Sequence, residues 1–297
     1  MQIVDLTQPN HIREPLSVAL GYFDTIHVGH QALIERAKAQ GYRCAVFTFS
    51  GDFYGALGFG VKPIFDWTTR LDFLQQLGVD YVLYLPAEPK WLALDGRRFL
   101  ELFPTAKHFV CGTDFRFGSG ADCDVEYLVR YCNEREIGSS VVELTYHEGR
   151  KVSTRYLRTL LQEGDMTTLA VELGRPYSMH GVVTHGKELG RTLGLPTANF
   201  VPSPSLELPK RGVYAASVPL DGQEYLAVAN VGAQPTVGGD QTVCETHVLG
   251  FSGDLYGEDI TVRLHEYLRP IVKFEDVEHL KEQVLNDIRQ TKEKVRL

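Results

Sequence analysis

Two histidines, His27 and His30, stand three residues apart with Gly29 between them, soon after the apolar run Ser17-Val18-Ala19-Leu20 and the glycine that follows it, Gly21. At the start of a helix this spacing lets both imidazoles project to one side. Gly21 permits a turn in which the backbone lies close to a ligand. Free N–H groups at a helix N-terminus favour an anion, and Gly29 leaves room for it there. Two imidazoles beside a phosphate chain can donate to its oxygens and stabilise the charge that develops as a phosphate bond breaks. A lone histidine would more simply be a packed core residue. Two of them around a glycine, just past a strand, point to chemistry.

Other groups suited to phosphate chemistry lie further along. In Ser153-Thr154-Arg155-Tyr156-Leu157-Arg158 a hydroxyl can cap a helix N-terminus and Arg158, one turn on, can reach a phosphate. Taken alone, Ser153 is an ordinary N-cap. The stretch from His185 to Asn199 carries glycines at 186, 190 and 194, which suit a loop whose backbone approaches a nucleotide. It lacks the Gly-Lys-Ser/Thr ending of a Walker loop. Thr197 and Asn199 offer a hydroxyl and an amide carbonyl two residues apart, both hard oxygen ligands suited to Mg²⁺. By itself Pro196-Thr197-Ala198-Asn199 reads as a turn. Glu245 and His247, in a strand-like run, point to the same face. Glu245 can accept a proton, or be a plain surface residue of a strand. His247 can orient that carboxylate or be packed in the core.

The elements that would position these groups follow from the hydrophobic pattern. Apolar runs at 17–20, 44–49, 81–85, 108–111 and 140–144 read as strands, and the intervening periods at 29–38, 68–77 and 127–135 read as helices. Strands alternating with helices imply βαβ crossovers and a parallel sheet, whose ligands bind at the carboxyl ends of the strands near a switch point. Two helices, 153–161 and 166–173, end at Gly174-Arg175-Pro176. Beyond them the chain turns strand-rich, with runs at 181–183, 213–218, 225–230, 244–249 and 260–264 and a hairpin signal at Asp221-Gly222. That pattern predicts a small antiparallel β-barrel, with the amphipathic tail 274–295 as a helix packed on it.

Composition narrows the class. The chain has 297 residues, 43% hydrophobic and 23% charged, which is comfortable for two domains. The formal net charge of −8 argues against nucleic acid as a partner. No apolar run is long enough to cross a bilayer, so no membrane partner is expected. The five cysteines are scattered without a Cys-x-x-Cys pair, which predicts reduced thiols and a cytoplasmic protein. A homo-oligomer stays open.

The His-x-Gly-His run resembles the signature of the nucleotidyltransferase superfamily, and its longer context is similar to the bacterial bifunctional riboflavin kinase/FMN adenylyltransferase family. Gly112-Thr113-Asp114-Phe115-Arg116-Phe117-Gly118 looks like that family's Gly-x-Asp-Phe-x-Phe-Gly loop, and 153–158 like its Ser-Ser/Thr-x-x-Ile-Arg motif. His185 to Asn199 closely resembles the riboflavin kinase signature with its Pro-Thr-Ala-Asn. Asn230-Val231-Gly232-Ala233-Gln234-Pro235-Thr236 and Glu245-Thr246-His247-Val248-Leu249 match further landmarks, the second being the strand that carries the catalytic glutamate.

The resemblance implies a Rossmann-like α/β nucleotidyltransferase domain at 1–176 and a small antiparallel β-barrel riboflavin kinase domain with a terminal helix at 177–297. It implies ATP, riboflavin and FMN/FAD as partners and Mg²⁺ as the metal, held by Thr197 and Asn199. Glu245, His27, His30 and Arg158 would be catalytic. Gly21, Phe23, Asp24, Gly29, Asp114, Ser153, Thr154, Gly186, Gly190, Arg191 and Gly194 would bind nucleotide. One departure stands out: the family carries Phe-x-Pro-His-Pro after its second strand, where this chain has Phe49-Ser50-Gly51-Asp52-Phe53. A kinase whose front domain has lost adenylyl transfer is therefore the alternative. A flavin-responsive regulator is a third reading, disfavoured by the intact Glu245, Thr197 and Asn199.

Overall fold

A strand covered on both faces reads as a near-continuous apolar run, and the first half of the chain is written that way. The computed structural model describes residues 1–9, 12–185, 195–236 and 239–297. Its contacts divide into two compact units, Met1–Tyr156 and Leu157–Leu297. In the first unit the elements run β1 (Gln2–Asp5), β2 (Leu16–Leu20), α1 (Val28–Lys38), β3 (Arg43–Ser50), α2 (Phe53–Ala56), α3 (Trp67–Gln76), β4 (Tyr81–Pro86), α4 (Pro89–Leu92), α5 (Gly96–Glu101), β5 (Ala106–Gly112), α6 (Val125–Asn133) and β6 (Gly138–Val142). The short strands β7 (Tyr146–His147) and β8 (Arg150–Lys151) follow as a hairpin.

The six main strands form one sheet in the order β1-β4-β3-β2-β5-β6, with every pair parallel. Alternation along each strand feeds two cores. Val18, Leu20, Phe47, Leu83 and Phe109 face α5 and α6, while Ala19, Val46, Val82 and Val110 face α1 and α3. The chain steps from β2 out to β3 and β4, then returns to place β5 on the other side of β2. That reversal opens a crevice at the carboxyl ends of β2 and β5.

Four of the cysteines belong to these cores, and all five are free and buried. Burial pushes the thiols of Cys44 and Cys111, and of Cys244 in the second unit, up to about 12, and that of Cys132 up to about 11. The native protein is therefore expected to resist an aromatic disulfide reagent at about pH 8, and to release five reactive thiols once denatured. The pH dependence follows in sign. Above about pH 9 an unfolded chain ionises its thiols while the native one keeps its protons, so this contribution is intact below pH 9 and is lost as pH rises towards 12. Melting temperature against alkaline pH checks it.

The boundary between the two units falls within α7 (Thr154–Glu163); α7 and α8 (Met166–Leu173) lead to β9 (Tyr177–Val182), β10 (Ala198–Phe200), β11 (Gly212–Leu220), β12 (Gln223–Thr236), β13 (Gly239–Val248), β14 (Asp259–Arg269) and the terminal helix α9 (Val277–Lys294). Gly174 closes α8 in the left-handed conformation, φ 71°, as a helix C-terminus prefers. The strands pair antiparallel in the order β10-β13-β12-β11-β14-β9. The sheet curls until its two ends approach: the Thr184 N–H, just past β9, donates to the Asn199 carbonyl of β10 at 2.7 Å. Asp221 (φ 50°) and Gly222 (φ 77°) form the two-residue turn between β11 and β12, with left-handed backbone at both positions.

Helix α9 is fastened to the sheet by a polar clasp. Arg269 at the end of β14 donates Nη2 to Asp287 Oδ2 at 2.8 Å and Nε to Oδ1 at 3.0 Å, and Gln283 adds a bond at 2.9 Å. Asp287 is buried, so this fully hydrogen-bonded geometry is what makes the charge tolerable there. No helix of the described residues is long and apolar enough to cross a membrane.

Candidate active sites

The first site lies where the sheet reverses. β2 ends at Leu20, and the chain crosses 21–27 with left-handed backbone at Phe23 (φ 53°) and Ile26 (φ 46°), both fully buried. Such conformations persist only where the surroundings over-determine them. Arg70 of α3 does so here: its guanidinium donates to the carbonyls of Tyr22 (2.7 Å), Phe23 (3.1 Å) and Phe49 (3.1 Å). Burial pulls the Arg70 pKa below its ordinary value, with Tyr22 and Asp24 opposing that shift.

His27 is the N-cap of α1, and its Nδ1 accepts the backbone N–H of His30 at 3.2 Å. That bond puts the proton of a neutral His27 on Nε2. The His30 ring stacks on it with centroids 3.8 Å apart and planes 10° apart. Gly29 is required by closeness: a Cβ there would stand 3.1 Å from the His27 ring. Together they border a cavity of about 240 Å³ whose lining includes Gly21, His27, His30, Asp114, Lys151 and Ser153. Gly29 and Thr154 line it as well. Ser153 caps α7 by accepting the Tyr156 N–H at 3.3 Å, and the Thr154 hydroxyl meets that of Thr25 at 3.2 Å.

Several expected residues stand elsewhere. Phe23 is in the core against His30, and Asp24 accepts from the Tyr54 hydroxyl (3.1 Å) and the Ile64 N–H (3.2 Å); neither lines the cavity. Arg158 falls in the second unit, where its Nε is 3.8 Å from Glu207. Lys151, which the sequence reading passed over, ion-pairs with Asp114 inside the cavity lining. Its only signal was a base two residues before the helix-capping Ser153.

The segment that departs from the family motif is rebuilt around aromatic rings. Asp52 caps α2 by accepting the Gly55 N–H at 2.8 Å. Phe53 then stacks on Tyr22 at 4.3 Å and on Phe49 at 4.9 Å. Asp52 therefore acts as a helix cap.

The second site is built by strand register. Asn199 on β10 pairs with Glu245 on β13, and Glu245 pairs with Asn230 on β12. Directly opposed residues share one face, so the three side chains form a row across three strands. Asn230 Nδ2 donates to Glu245 Oε2 at 3.4 Å. Asn199 Nδ2 donates to the Thr197 hydroxyl and carbonyl, each at 3.3 Å, so its Oδ1 is turned away, buried and without a hydrogen-bond partner. An orphaned carbonyl oxygen beside a hydroxyl suits a hard divalent cation that also binds substrate phosphates. Among the described residues no group of three His, Cys, Asp or Glu could hold a metal instead.

His247 neither orients Glu245 nor sits in the core. It is half-buried, and its Nδ1 lies 2.8 Å from the Pro196 carbonyl, so it donates there and anchors the turn that leads into Thr197. Gly186, Gly190, Arg191 and Gly194 lie outside the described residues.

Comparison with known proteins places both sites in context. Residues 10–156 match the FAD synthetase family model, and residues 173–295 match the riboflavin kinase model. A bifunctional riboflavin kinase/FMN adenylyltransferase of Bacillus subtilis is 31% identical over 304 residues, covering 97% of this chain and 96% of that one. The protein of the same description from Escherichia coli K12 is 32% identical over 93% of this chain and 91% of its own length. A crystal structure described as a macrolide-efflux protein from Streptococcus pneumoniae superposes with a TM-score of 0.87 at 28% identity, over 98% of this chain and 99% of that one.

Proposed function

The chain belongs to the bifunctional riboflavin kinase/FMN adenylyltransferase family, and from that premise we propose how its residues divide the chemistry. Riboflavin is phosphorylated to FMN, and FMN is adenylylated to FAD with release of pyrophosphate, ATP being consumed in both steps. Residues 177–297 carry the first reaction and residues 1–176 the second. The observation that carries the kinase assignment is the row Asn199–Glu245–Asn230, which sets a carboxylate beside a pair of hard oxygen ligands.

Kinase chemistry is chiefly positioning and charge neutralisation. The ribityl 5′-hydroxyl attacks the γ-phosphorus as the bond from γ-phosphorus to the bridging oxygen breaks and ADP leaves, and its proton passes to a Glu245 oxygen. Thr197 and Asn199 would hold Mg²⁺, which supplies neutralising charge to the ATP phosphates; the unpartnered Asn199 Oδ1 supports that fit. In the front unit, His27 and His30 donate to phosphate oxygens of ATP as the α-phosphorus is attacked by the FMN phosphate and pyrophosphate leaves. The N-terminus of α1 adds its N–H groups on the same side. Gly21, Gly29, Asp114, Ser153 and Thr154 shape that pocket.

One assay tests the division. The protein is incubated with Mg²⁺-ATP and riboflavin, and separately with Mg²⁺-ATP and FMN, and the flavins are resolved by chromatography. FMN and FAD are expected from the first mixture and FAD from the second. FMN with no FAD from either mixture would select the kinase-only alternative that Phe49–Phe53 raised. Neither FMN nor FAD from the riboflavin mixture would sink the kinase.

A further inference from the structure

Asn230 has two polar ends, and among the described residues only one has a partner. Its Nδ2 donates to Glu245 at 3.4 Å, while its Oδ1 is buried with no hydrogen-bond partner. A buried carbonyl oxygen left unsatisfied is costly unless a ligand supplies the donor. The direction of that oxygen is marked by Gly232, two residues along the same strand face. A Cβ at Gly232 would stand 3.6 Å from Asn230 Oδ1 and only 2.6 Å from the Ile271 side chain. Glycine therefore leaves room for the Ile271 side chain to pack on this strand face, next to Asn230. Two residues on from Ile271 in the chain, Lys273 begins the lining of a cavity of about 680 Å³ that Phe274, and Gln283 and Asn286 of α9, also line. That volume suits a fused-ring ligand with an aromatic wall.

We infer that Asn230 joins this cavity to the reacting hydroxyl: its Nδ2 aims the Glu245 carboxylate, and its Oδ1 accepts a hydrogen bond from a hydroxyl of the substrate's polyol chain. This rests on Glu245 being the base. Its atoms are placed for it. The amide hydrogen fixes one carboxylate oxygen, leaving the other to face the attacking alcohol. The carbonyl oxygen, buried and without a partner, is left for a hydroxyl of a polyol whose ring system occupies the Phe274 cavity. Asn230 thus positions Glu245 and binds substrate, without itself taking the proton.

Few other groups could counterfeit the effect. From the two strands flanking β13, Asn199 and Asn230 face Glu245, and neither titrates. Along β13 itself the titratable neighbours are Cys244, which burial keeps protonated, and His247, tied to Pro196.

Two variants separate the two ends of the amide. Asn230→Asp keeps an oxygen acceptor, loses the donor and adds negative charge beside Glu245. The acidic limb of its kcat/KM profile for riboflavin phosphorylation should move up by about one pH unit, because a like charge disfavours the carboxylate form. Asn230→Ala loses both ends, and kcat/KM for riboflavin should fall about 10- to 100-fold, with KM for riboflavin raised and KM for ATP within about twofold. FAD formation from supplied FMN, made in the other unit, should match the parent protein in both variants. An unmoved acidic limb in Asn230→Asp overturns the donor half. An unchanged KM for riboflavin in Asn230→Ala overturns the acceptor half. Should Asn230→Ala fail to fold, KM in the near-isosteric Asn230→Leu decides that half. Glu245→Gln serves as the control: if it keeps full kinase activity, the base assignment itself fails, whereas an inactive Glu245→Gln beside normal Asn230 variants defeats the Asn230 inference alone.

Discussion

Glu245→Gln should lower riboflavin phosphorylation by roughly 10²- to 10⁴-fold, the range a positioned general base supplies, while FAD synthesis from supplied FMN stays within about twofold. The substitution keeps size and shape. Gln can still accept from Asn230 and still occupy the row between Asn199 and Asn230, so the strands have no reason to part. What it removes is the capacity to take a proton. If Glu245 were only a strand residue facing outward, the change would fall within the small range of surface substitutions. The effect should be on kcat more than on KM for ATP, since Thr197 and Asn199 are untouched. Full kinase activity in Glu245→Gln would remove the base from this site.

The parallel sheet was legible because its strands are buried on both faces and the intervening helices keep a 3.6-residue period. The edge strand β1 was not. Four residues with Ile3 half-exposed show neither the continuous apolar run of a central strand nor a clean alternation. The limits of β6 slipped by two residues for a related reason: Glu143 and Leu144 continue the apolar-looking run but leave the sheet to line the first cavity. β10 starts within Pro196-Thr197-Ala198-Asn199 and was hidden there, since three residues carry no period, and only pairing with β13 reveals a strand.

The sites divide the same way. His27 and His30 are local in sequence and were visible in it; their stacking follows from the helix they open. Asn230 could be quoted as part of a recognisable segment, yet its role depends on register with Glu245, fifteen residues away across a hairpin. Arg70 had no signal at all. It is a buried cation in an otherwise ordinary helix, and its task, holding the carbonyls of 22–23 and 49, exists only once β2, β3 and α3 are brought together. Asp24 is marked in the sequence by the resemblance alone; its bonds from Tyr54 and Ile64 exist only once 22–27 is folded against 54–64.

His30→Ala should lower FAD formation from FMN by about 10²-fold or more, the scale of losing one preorganised donor to a developing oxyanion, and leave riboflavin phosphorylation unchanged. His30 is the better of the two histidines to remove. His27 caps α1 through Nδ1, so its loss would also cost about 1 kcal/mol of helix stability and blur the reading. The His30 side chain has no capping role for α1, whose N-cap bond uses only its backbone N–H. Alanine also favours a helix interior, so α1 should survive the change. The stack with His27 is lost, but His27 keeps its bond to the backbone at residue 30 and with it its tautomer. The remaining deficit is then one imidazole at the mouth of the cavity that Asp114, Lys151 and Ser153 complete. Chromatography of flavins after incubation with Mg²⁺-ATP and FMN reads it directly. A His30→Ala protein that makes FAD at the parent rate would move adenylyl transfer away from this crevice.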